Sequence, residues 1–337
     1  MAAKKKPTKQ QVRKAKSAAK KTVKAAERLG ISPVLVFLLM LVSATFVYSS
    51  YLELGSEDVN KAAAESFISK DADLEIHYID VGQGDCSLIL WEGASMLIDS
   101  GESQYAETVL DYLDEQGVER LDYVVATHPH SDHMGSMSEI IANVDVGKVI
   151  VPKVQEELTP TTVFYEKFLA SLSAKAIKLT AAKPDTSYDF VGTTAAAVSK
   201  TAPSFEIIAP VTDYDDLNNY SVVVKLTYGE TSYLFTGDIE KKAERDILEY
   251  GADVDADVLK SPHHGSSTSS SEAFIDAVSP EICIIQCGDG NDYGHPHADV
   301  VELLEEYGVT SYRTDQCGTV TVYSDGKQIY VATEKEG

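Results

Sequence analysis

The histidines of this 337-residue chain are concentrated in a way that points to a metal site. Seven of the eight lie in three clusters, which are His128, His130 and His133, then His263 and His264, then His295 and His297. The first cluster belongs to the sequence Thr-His-Pro-His-Ser-Asp-His-Met-Gly at residues 127–135. Imidazole and carboxylate are the usual ligands of hydrolytic zinc centres. The spacing predicts that His128 and His130 face one divalent cation, while Asp132 and His133 face a second. The alternative is a polar loop whose histidines cap a helix, and so constrained a spacing disfavours it.

Two aspartates at predicted strand ends extend this site. Asp99 follows the apolar stretch 96–98, and Asp238 follows the stretch 233–237. A carboxylate placed in this way commonly accepts a hydrogen bond from a ligand histidine and fixes its tautomer, which is the role predicted for Asp99. Asp238 is predicted to bridge the two cations. Either aspartate alone would more simply cap a strand, but both recur beside the histidine clusters.

The second histidine cluster follows a predicted strand at residues 258–260. One of His263 and His264 is expected to bind the second cation, and the sequence leaves open which. The hydroxyl-rich stretch 265–270 after them includes Ser266, and it suits a phosphate or carboxylate group of a substrate.

The third cluster lies in a turn-rich loop at residues 288–297. His295 is expected to protonate a leaving group or to bind its oxygen. His297 fits a solvated helix start equally well. Gln83 and Asp85, on the turn after the first predicted strand, are expected to line the mouth of the site.

Charge divides the chain into two parts. Residues 1–30 carry a net +10, so the remainder carries −34 within the total of −24. Residues 31–52 have no charge and are long enough to cross a bilayer, which takes about 20 residues. The excess of Lys and Arg predicts a single-pass anchor in the cell membrane, with a cytoplasmic tail at 1–30 and an extracytoplasmic acidic part. A cleaved signal peptide is the alternative, since small residues follow near Ser43, and the protein would then be secreted.

A linker is expected over residues 53–70 and one large domain over residues 71–337. Strands there alternate with amphipathic helices expected near 104–116, 137–143, 161–174, 239–250, 272–278 and 298–307. So many strands with few helices predict an α/β fold of four layers, an αββα sandwich with two mixed sheets inside. The stretch 181–201 is expected to be an irregular surface hairpin. The spacing leaves open whether Cys287 and Cys317 pair.

Five motifs together resemble the metallo-β-lactamase superfamily and, within it, the hydrolase-like domain of the ComEC/Rec2 competence proteins. They are Ile-Asp-Val-Gly-Gln-Gly-Asp at 79–85, Thr-His-Pro-His-Ser-Asp-His at 127–133, Gly-Asp at 237–238, Ser-Pro-His-His-Gly-Ser at 261–266 and Tyr-Gly-His-Pro at 293–296. The resemblance covers residues 71 to 331 and implies an αββα sandwich with a dinuclear metal centre. It places these residues in ligand or supporting positions: Asp99, His128, His130, Asp132, His133, Asp238 and one of His263 and His264.

Two departures from the superfamily bear on function. Most members supply a further histidine before the bridging aspartate, but no histidine lies between His133 and His263, and residues 218–221 stand in its place, as in ComEC-type domains. The ion held by His128 and His130 would then have fewer strong ligands. Zinc is the expected metal and manganese the alternative. The polytopic membrane channel of the competence proteins is missing from this sequence, so DNA transport cannot be carried over from the resemblance.

The resemblance implies metal-assisted hydrolysis in which a hydroxide held between two ions attacks the substrate. Asp132 would orient this hydroxide. Asn219, Ser221, Ser266 and His295 are the candidates for substrate contact.

A phosphodiester is the favoured substrate, either nucleic acid or a phosphorylated cell-envelope polymer. The acidic charge of residues 31–337 weighs against nucleic acid, because it repels a polyanion. Two other functions are compatible with the sequence. One is hydrolysis of a lactam, lactone or thioester on the same centre, and the other is a non-catalytic binding protein that retains the fold.

Overall fold

The computed structural model describes residues 72–192 and 202–335. The predicted cytoplasmic tail, transmembrane anchor and linker all lie outside the described residues. Within the described ranges, no helix is both long and apolar enough to cross a bilayer. The described residues belong to a compact unit that covers Lys70–Gly337.

Fifteen strands form two sheets in this part of the chain. In chain order they are β1 (Leu74–Tyr78), β2 (Ser87–Trp91), β3 (Ala94–Ile98), β4 (Arg120–Val125), β5 (Asp145–Val151), β6 (Leu179–Ala181), β7 (Thr186–Asp189), β8 (Ser204–Ala209), β9 (Val223–Tyr228), β10 (Thr231–Phe235), β11 (Val258–Lys260), β12 (Ile282–Ile285), β13 (Thr310–Arg313), β14 (Val320–Ser324) and β15 (Ile329–Thr333). The first sheet has the order β15-β14-β1-β2-β3-β4-β5-β6, and the second has the order β13-β12-β11-β10-β9-β8-β7.

Each sheet has a parallel half and an antiparallel half. Strands β3 to β6 pair in parallel, and so do strands β10 to β13. Strand β10 also pairs with β9, in the antiparallel direction. Parallel neighbours need a crossover connection, which is usually helical. The parallel half of each sheet therefore has helices between its strands, and the predicted metal ligands lie in these two halves.

Eight α-helices lie in the described ranges. They are α1 (Ala106–Glu115), α2 (Ser131–Met134), α3 (Met137–Asn143), α4 (Val163–Ala174), α5 (Lys241–Tyr250), α6 (Glu272–Val278), α7 (Ala298–Glu306) and α8 (Thr314–Cys317). Their boundaries have local causes. The Ser271 side chain caps α6 by accepting a hydrogen bond from the Phe274 amide, and α5 ends at Gly251 in a left-handed conformation with φ of 85°.

Three apolar clusters define the layers of the fold. Residues such as Ile76 and Phe205 fill the space between the two sheets. Val109 of α1 packs in a cluster on the outer face of the first sheet, and Ile247 of α5 packs in a cluster on the outer face of the second. The layers therefore run helix, sheet, sheet, helix, and the predicted four-layer αββα sandwich is confirmed.

Short edge elements were not apparent in the sequence pattern. Strand β7 lies within the stretch predicted to be irregular and pairs antiparallel with β8. Strands β6 and β13 also went unpredicted, because they have too few apolar positions for an alternating pattern. All four cysteines are buried and unpaired, so Cys287 and Cys317 form no disulfide.

Candidate metal centre

The candidate ligands lie at one rim of the sandwich, just beyond the carboxyl ends of strands from both sheets. Asp99 follows β3 and His128 follows β4 in the first sheet. Asp238 follows β10 and His264 follows β11 in the second. Open α/β sheets commonly carry their sites beyond these strand ends. The rim thus brings together residues that are up to 165 positions apart in the chain.

Four side chains converge on one point at this rim. The ligand atoms of Asp132, His133, Asp238 and His264 all lie within 4.8 Å of one another. Asp238 Oδ2 is central, because it lies 3.1 Å from His133 Nε2 and 3.4 Å from His264 Nε2. Asp132 Oδ2 lies 3.3 Å from His264 Nε2.

This group of four fits a divalent cation. The Nε2 atoms of His133 and His264 are buried without a hydrogen-bond partner, and so is Asp238 Oδ1. Buried polar atoms are nearly always paired, so three such atoms around one point indicate a missing partner. Two imidazoles and two carboxylates are also the donor set that hydrolytic metal centres use.

The charges of the four side chains support the same assignment. Burial opposes ionisation of Asp238, but His133 and His264 outweigh it and hold its pKa well below the usual range. Burial also opposes protonation of His133, yet the nearby carboxylates, Asp238 foremost, raise its pKa well above the usual range. The same balance raises the pKa of His264. The two carboxylates thus favour positive charge beside them. In the metal-free protein the protons on His133 and His264 supply it, and a divalent cation that displaces these protons would supply it instead.

A carboxylate supports His133 from behind. Asp99 is fully buried, and its Oδ2 lies 2.8 Å from His133 Nδ1. Thr127 holds this carboxylate in place, because its amide and its hydroxyl each donate a hydrogen bond of 2.7 Å to Asp99. With Nδ1 of His133 donating to Asp99, Nε2 carries the free lone pair that a metal needs. Asp99 thus lies where a residue that orients His133 would have to lie.

His264 has a comparable support. Its Nδ1 lies 3.0 Å from the Gln286 carbonyl oxygen and 3.2 Å from Asp85 Oδ1. The turn that carries Asp85 approaches Asp132 closely, since the Asp85 amide donates to the Asp132 carbonyl at 3.1 Å. Gly84 permits this approach, because a Cβ there would lie 2.3 Å from the same carbonyl oxygen.

The structure separates the two adjacent histidines of the second cluster. His263 and His264 both adopt left-handed backbone conformations, with φ of 49° and 54°, which are uncommon for residues other than glycine. His264 is buried and joins the group of four, whereas His263 Nε2 stays 3.8 Å from Asp238 Oδ2 and faces the cleft. Of the two, His264 is therefore the one that lies among the other candidate ligands.

The other predicted cation position has weaker support. His128 Nε2 lies 3.0 Å from His130 Nδ1 and 3.9 Å from Asp238 Oδ2. Behind His128 stand two hydroxyls, since its Nδ1 lies 3.2 Å from Thr127 Oγ1 and 3.2 Å from Ser221 Oγ. Burial, with the nearby His133, lowers the pKa of His128 well below the usual range, so its ring is neutral and able to bind a cation.

An open cleft of about 540 Å³ leads to these ligands. Its lining comprises Gln83, Pro129, His130, Ser131, Asp132, Pro160, Thr162, Phe164, Leu217, Asn218, Asp238, His263, His264, Tyr293 and His295. Asp132 connects the cleft to the group of four. Burial opposes its ionisation, but the neighbouring His133 and His264 lower its pKa and keep it charged.

Several predicted substrate contacts are placed elsewhere. Ser221 and Asn219 are buried away from the cleft. Ser221 Oγ accepts from the Asp238 amide at 3.0 Å, and the Asn219 side chain accepts from amides at the start of α5. Ser266 is buried and exchanges hydrogen bonds with Thr268. Asp85 lies beneath the ligands rather than at the mouth. Of the predicted contacts, Gln83 and His295 do line the cleft.

Sequence reasoning missed three residues that the structure places at the site. Asn218 lines the cleft, and its Oδ1 is buried without a partner. Tyr293 stands at the mouth, 67% exposed and stacked on His295 with ring centroids 5.5 Å apart. Lys260 is buried directly before the second histidine cluster and could have been flagged as a charge at the end of an apolar strand.

Comparison with known proteins agrees with this geometry. The family model of the metallo-β-lactamase superfamily matches residues 79–288. ComE operon protein 3 of Bacillus subtilis is 29% identical over 266 residues, which is 73% of this chain and 32% of that protein. Recombination protein 2 of Haemophilus influenzae is 30% identical over 272 residues, which is 77% of this chain and 30% of that protein. The chain thus spans about a third of the length of these curated relatives.

Among solved structures, CmlA, a diiron β-hydroxylase from Streptomyces venezuelae, has a TM-score of 0.49 at 16% identity, covering 75% of this chain and 54% of that chain. That likeness is too distant to inform the chemistry. The family match covers more than half of the chain and includes the group of four ligands, and it agrees with the two-sheet sandwich. The chain belongs to the metallo-β-lactamase superfamily.

Proposed function

We propose that this protein is a metal-dependent phosphodiesterase, anchored in the cell membrane with its catalytic domain outside the cytoplasm. The observation that carries the proposal is the group of Asp132, His133, Asp238 and His264 at the floor of the cleft. Two divalent cations are proposed, zinc in the first place and manganese as the alternative. Bound there, such ions lower the pKa of water and stabilise negative charge on a phosphate.

The residues of the cleft would position a phosphodiester over this floor. His295 lines the cleft, and its Nδ1 is buried without a partner. Burial, followed by the neighbouring His264 and His263, lowers the pKa of His295 to about 4. A neutral ring can donate a hydrogen bond to the leaving oxygen but holds no extra proton to transfer. Of the two roles expected for His295, oxygen binding is the one that its environment favours.

The charge of the cleft favours a single phosphodiester group as substrate. No Lys or Arg occurs among the cleft residues that the structure describes. Recognition would rest on the cations and on neutral donors such as His263, whose pKa is lowered mainly by burial. Long nucleic acids are usually held by rows of Lys and Arg on phosphates. A cell-envelope phosphodiester or a short nucleic acid end therefore fits better than a long duplex.

Hydrolysis assays would test this function. We expect the metal-loaded full chain to cleave bis-p-nitrophenyl phosphate and to leave a chromogenic lactam and an aryl lactone intact. Asp132→Ala should abolish the cleavage, because Asp132 links the ligands to the cleft. The reverse preference would identify a lactam or lactone hydrolase. A protein that binds zinc but cleaves none of the three would be a binding protein with a retained fold.

The membrane location rests on residues 31–52 and is tested separately. We expect the protein to fractionate with membranes and the domain to be digested by protease added to intact cells. Release of a shorter form into the medium would instead indicate cleavage after the apolar stretch.

A further inference from the structure

Lys260 is an unusual residue to find beneath a cation site. It ends β11 directly before the stretch that carries His264, and it is only 1% exposed. Lysine is almost never fully buried unless it is paired. Here Nζ lies 2.7 Å from Asp85 Oδ2 and donates a second hydrogen bond of 2.7 Å to the Ser261 carbonyl.

The partner of Lys260 connects it to the ligands. Asp85 is 4% exposed, and its two oxygens face in different directions. Oδ2 contacts Lys260, while Oδ1 lies 3.2 Å from His264 Nδ1. The carboxylate therefore stands between the ammonium group and the outer nitrogen of a candidate ligand.

We propose that Lys260 is a positioning residue of the metal centre, which holds the Asp85 carboxylate against His264 so that His264 presents its Nε2 lone pair to the cation. A carboxylate behind a ligand imidazole fixes the ring and raises its basicity. A buried carboxylate without a counter-charge is strongly unfavourable, and Lys260 supplies that counter-charge. The ion pair as a whole is neutral and turns its negative end towards the ligand.

The ion pair of Asp85 and Lys260 also bears on a second group of side chains that could bind a cation. Asp85, Asp99 and His133 also offer atoms within 4.8 Å of one another. Lys260 and His133 already supply positive or hydrogen-bonding partners to the two carboxylates, at 2.7 and 2.8 Å. The ammonium group of Lys260 therefore supplies there the positive charge that a metal ion would otherwise bring to Asp85.

The inference rests on the metal centre of the proposed function, but ion binding rather than hydrolysis is its readout. A protein that binds zinc in the predicted way and cleaves no phosphodiester would refute the phosphodiesterase proposal alone.

The test compares variants of the full chain by competition of the metal-free protein with a chromophoric zinc chelator. In the double variant Asp85→Asn with Lys260→Met, both charges disappear together, so no buried charge is left unpaired. We expect it to bind zinc about 10- to 100-fold more weakly than the parent. The unfolding temperature of the metal-free protein should change little. Lys260→Gln, a milder change that keeps a hydrogen-bond donor, should weaken zinc binding in the same direction.

Lys225→Met is the matched control. Lys225 is also a buried lysine of the second sheet, 8% exposed, and its Nζ lies 2.6 Å from Asp253 Oδ2, away from the ligands. This variant should bind zinc as the parent does. The proposal is overturned if the Asp85 and Lys260 variants bind zinc within about twofold of the parent, or if Lys225→Met weakens binding equally.

Discussion

The candidate ligand histidines fall into two pairs that receive different support from the rest of the protein. One pair is His133 and His264, and the other is His128 and His130. Behind His133 stands the buried carboxylate of Asp99, and behind His264 stand the Gln286 carbonyl and the buried carboxylate of Asp85. Behind His128, among the residues that the structure describes, stand the hydroxyls of Thr127 and Ser221. We call the first the supported half and the second the open half of the centre.

The difference teaches that the two cation positions are unequal. Carboxylates behind ligand imidazoles increase metal affinity, and hydroxyls do so less. The supported half also offers four ligand side chains, whereas the open half offers two imidazoles and shares Asp238. We expect one tightly bound ion in the supported half and a more readily exchanged ion in the open half.

The largest effect should follow loss of a ligand from the supported half. His264→Ala is expected to remove the tightly bound ion and to lower phosphodiester hydrolysis by about 1,000-fold, because charge stabilisation at the reacting group is lost. His263→Ala, at the adjacent position, should cost less than about tenfold. Metal content by mass spectrometry and initial rates check both. A larger loss for His263→Ala would reverse the ligand assignment.

Loss of a ligand from the open half should have a smaller effect. His128→Ala is expected to leave about one ion per chain after desalting and to lower the rate by about 100-fold, since only one cation is lost. The control is His77→Gln, a buried histidine on β1 that contacts Tyr112 rather than the ligands. Equal metal loss in the His264 and His128 variants would show that the two halves are equivalent.

The difference in cation affinity between the two halves should shrink when a ligand is added to the open half. Asn218 lines the cleft together with His130 and has an unpaired buried oxygen. Asn218→His should add a third imidazole and tighten the more weakly held ion by about tenfold. Titration with manganese and zinc measures this. Unchanged affinity, with Asn218→Ala as the reference, would mean that residues 218–221 do not reach this ion.

The smallest effect concerns a residue outside both halves. The pKa of His295 is lowered to about 4, so the ring is neutral at neutral pH and becomes charged only in acid. His295→Gln, which keeps a neutral donor, should lower the rate by about fivefold or less. The ratio of variant to parent rates should be constant between pH 6 and 9. A ratio that changes through neutral pH would show that His295 transfers a proton.

Local spacing allowed the sequence to anticipate much of this site. His128, His130, Asp132 and His133 lie within one short turn and helix, so their proximity follows from the chain itself. Asp99 could be predicted because a polar residue directly after an apolar strand sits at the sheet end. The sequence could not show which of His263 and His264 lies among the ligands, because this depends on two left-handed backbone conformations that spacing does not reveal.

The predicted substrate contacts illustrate the opposite case. Asn219 and Ser221 lie in the stretch that the family resemblance singled out, yet Asn218 is the member that faces the cleft. Adjacent residues of the 3₁₀ turn at 218–220 point in different directions, and Asn219 faces inward because its side chain accepts hydrogen bonds from amides at the start of α5. Asp85 was expected at the mouth, but the close approach at Gly84 turns it beneath His264.

The sequence by itself determined the donor set, the layer architecture and the superfamily, because these depend on residue type, local spacing and hydrophobic periodicity. The tertiary structure decided which donors share one cation, which carboxylate stands behind each imidazole and how Lys260 is neutralised. The shared cation position and the contacts of Asp85 with His264 and Lys260 depend on strand ends of two different sheets. No local pattern encodes such contacts, since they arise only when the two sheets pack face to face and their ends meet at one rim.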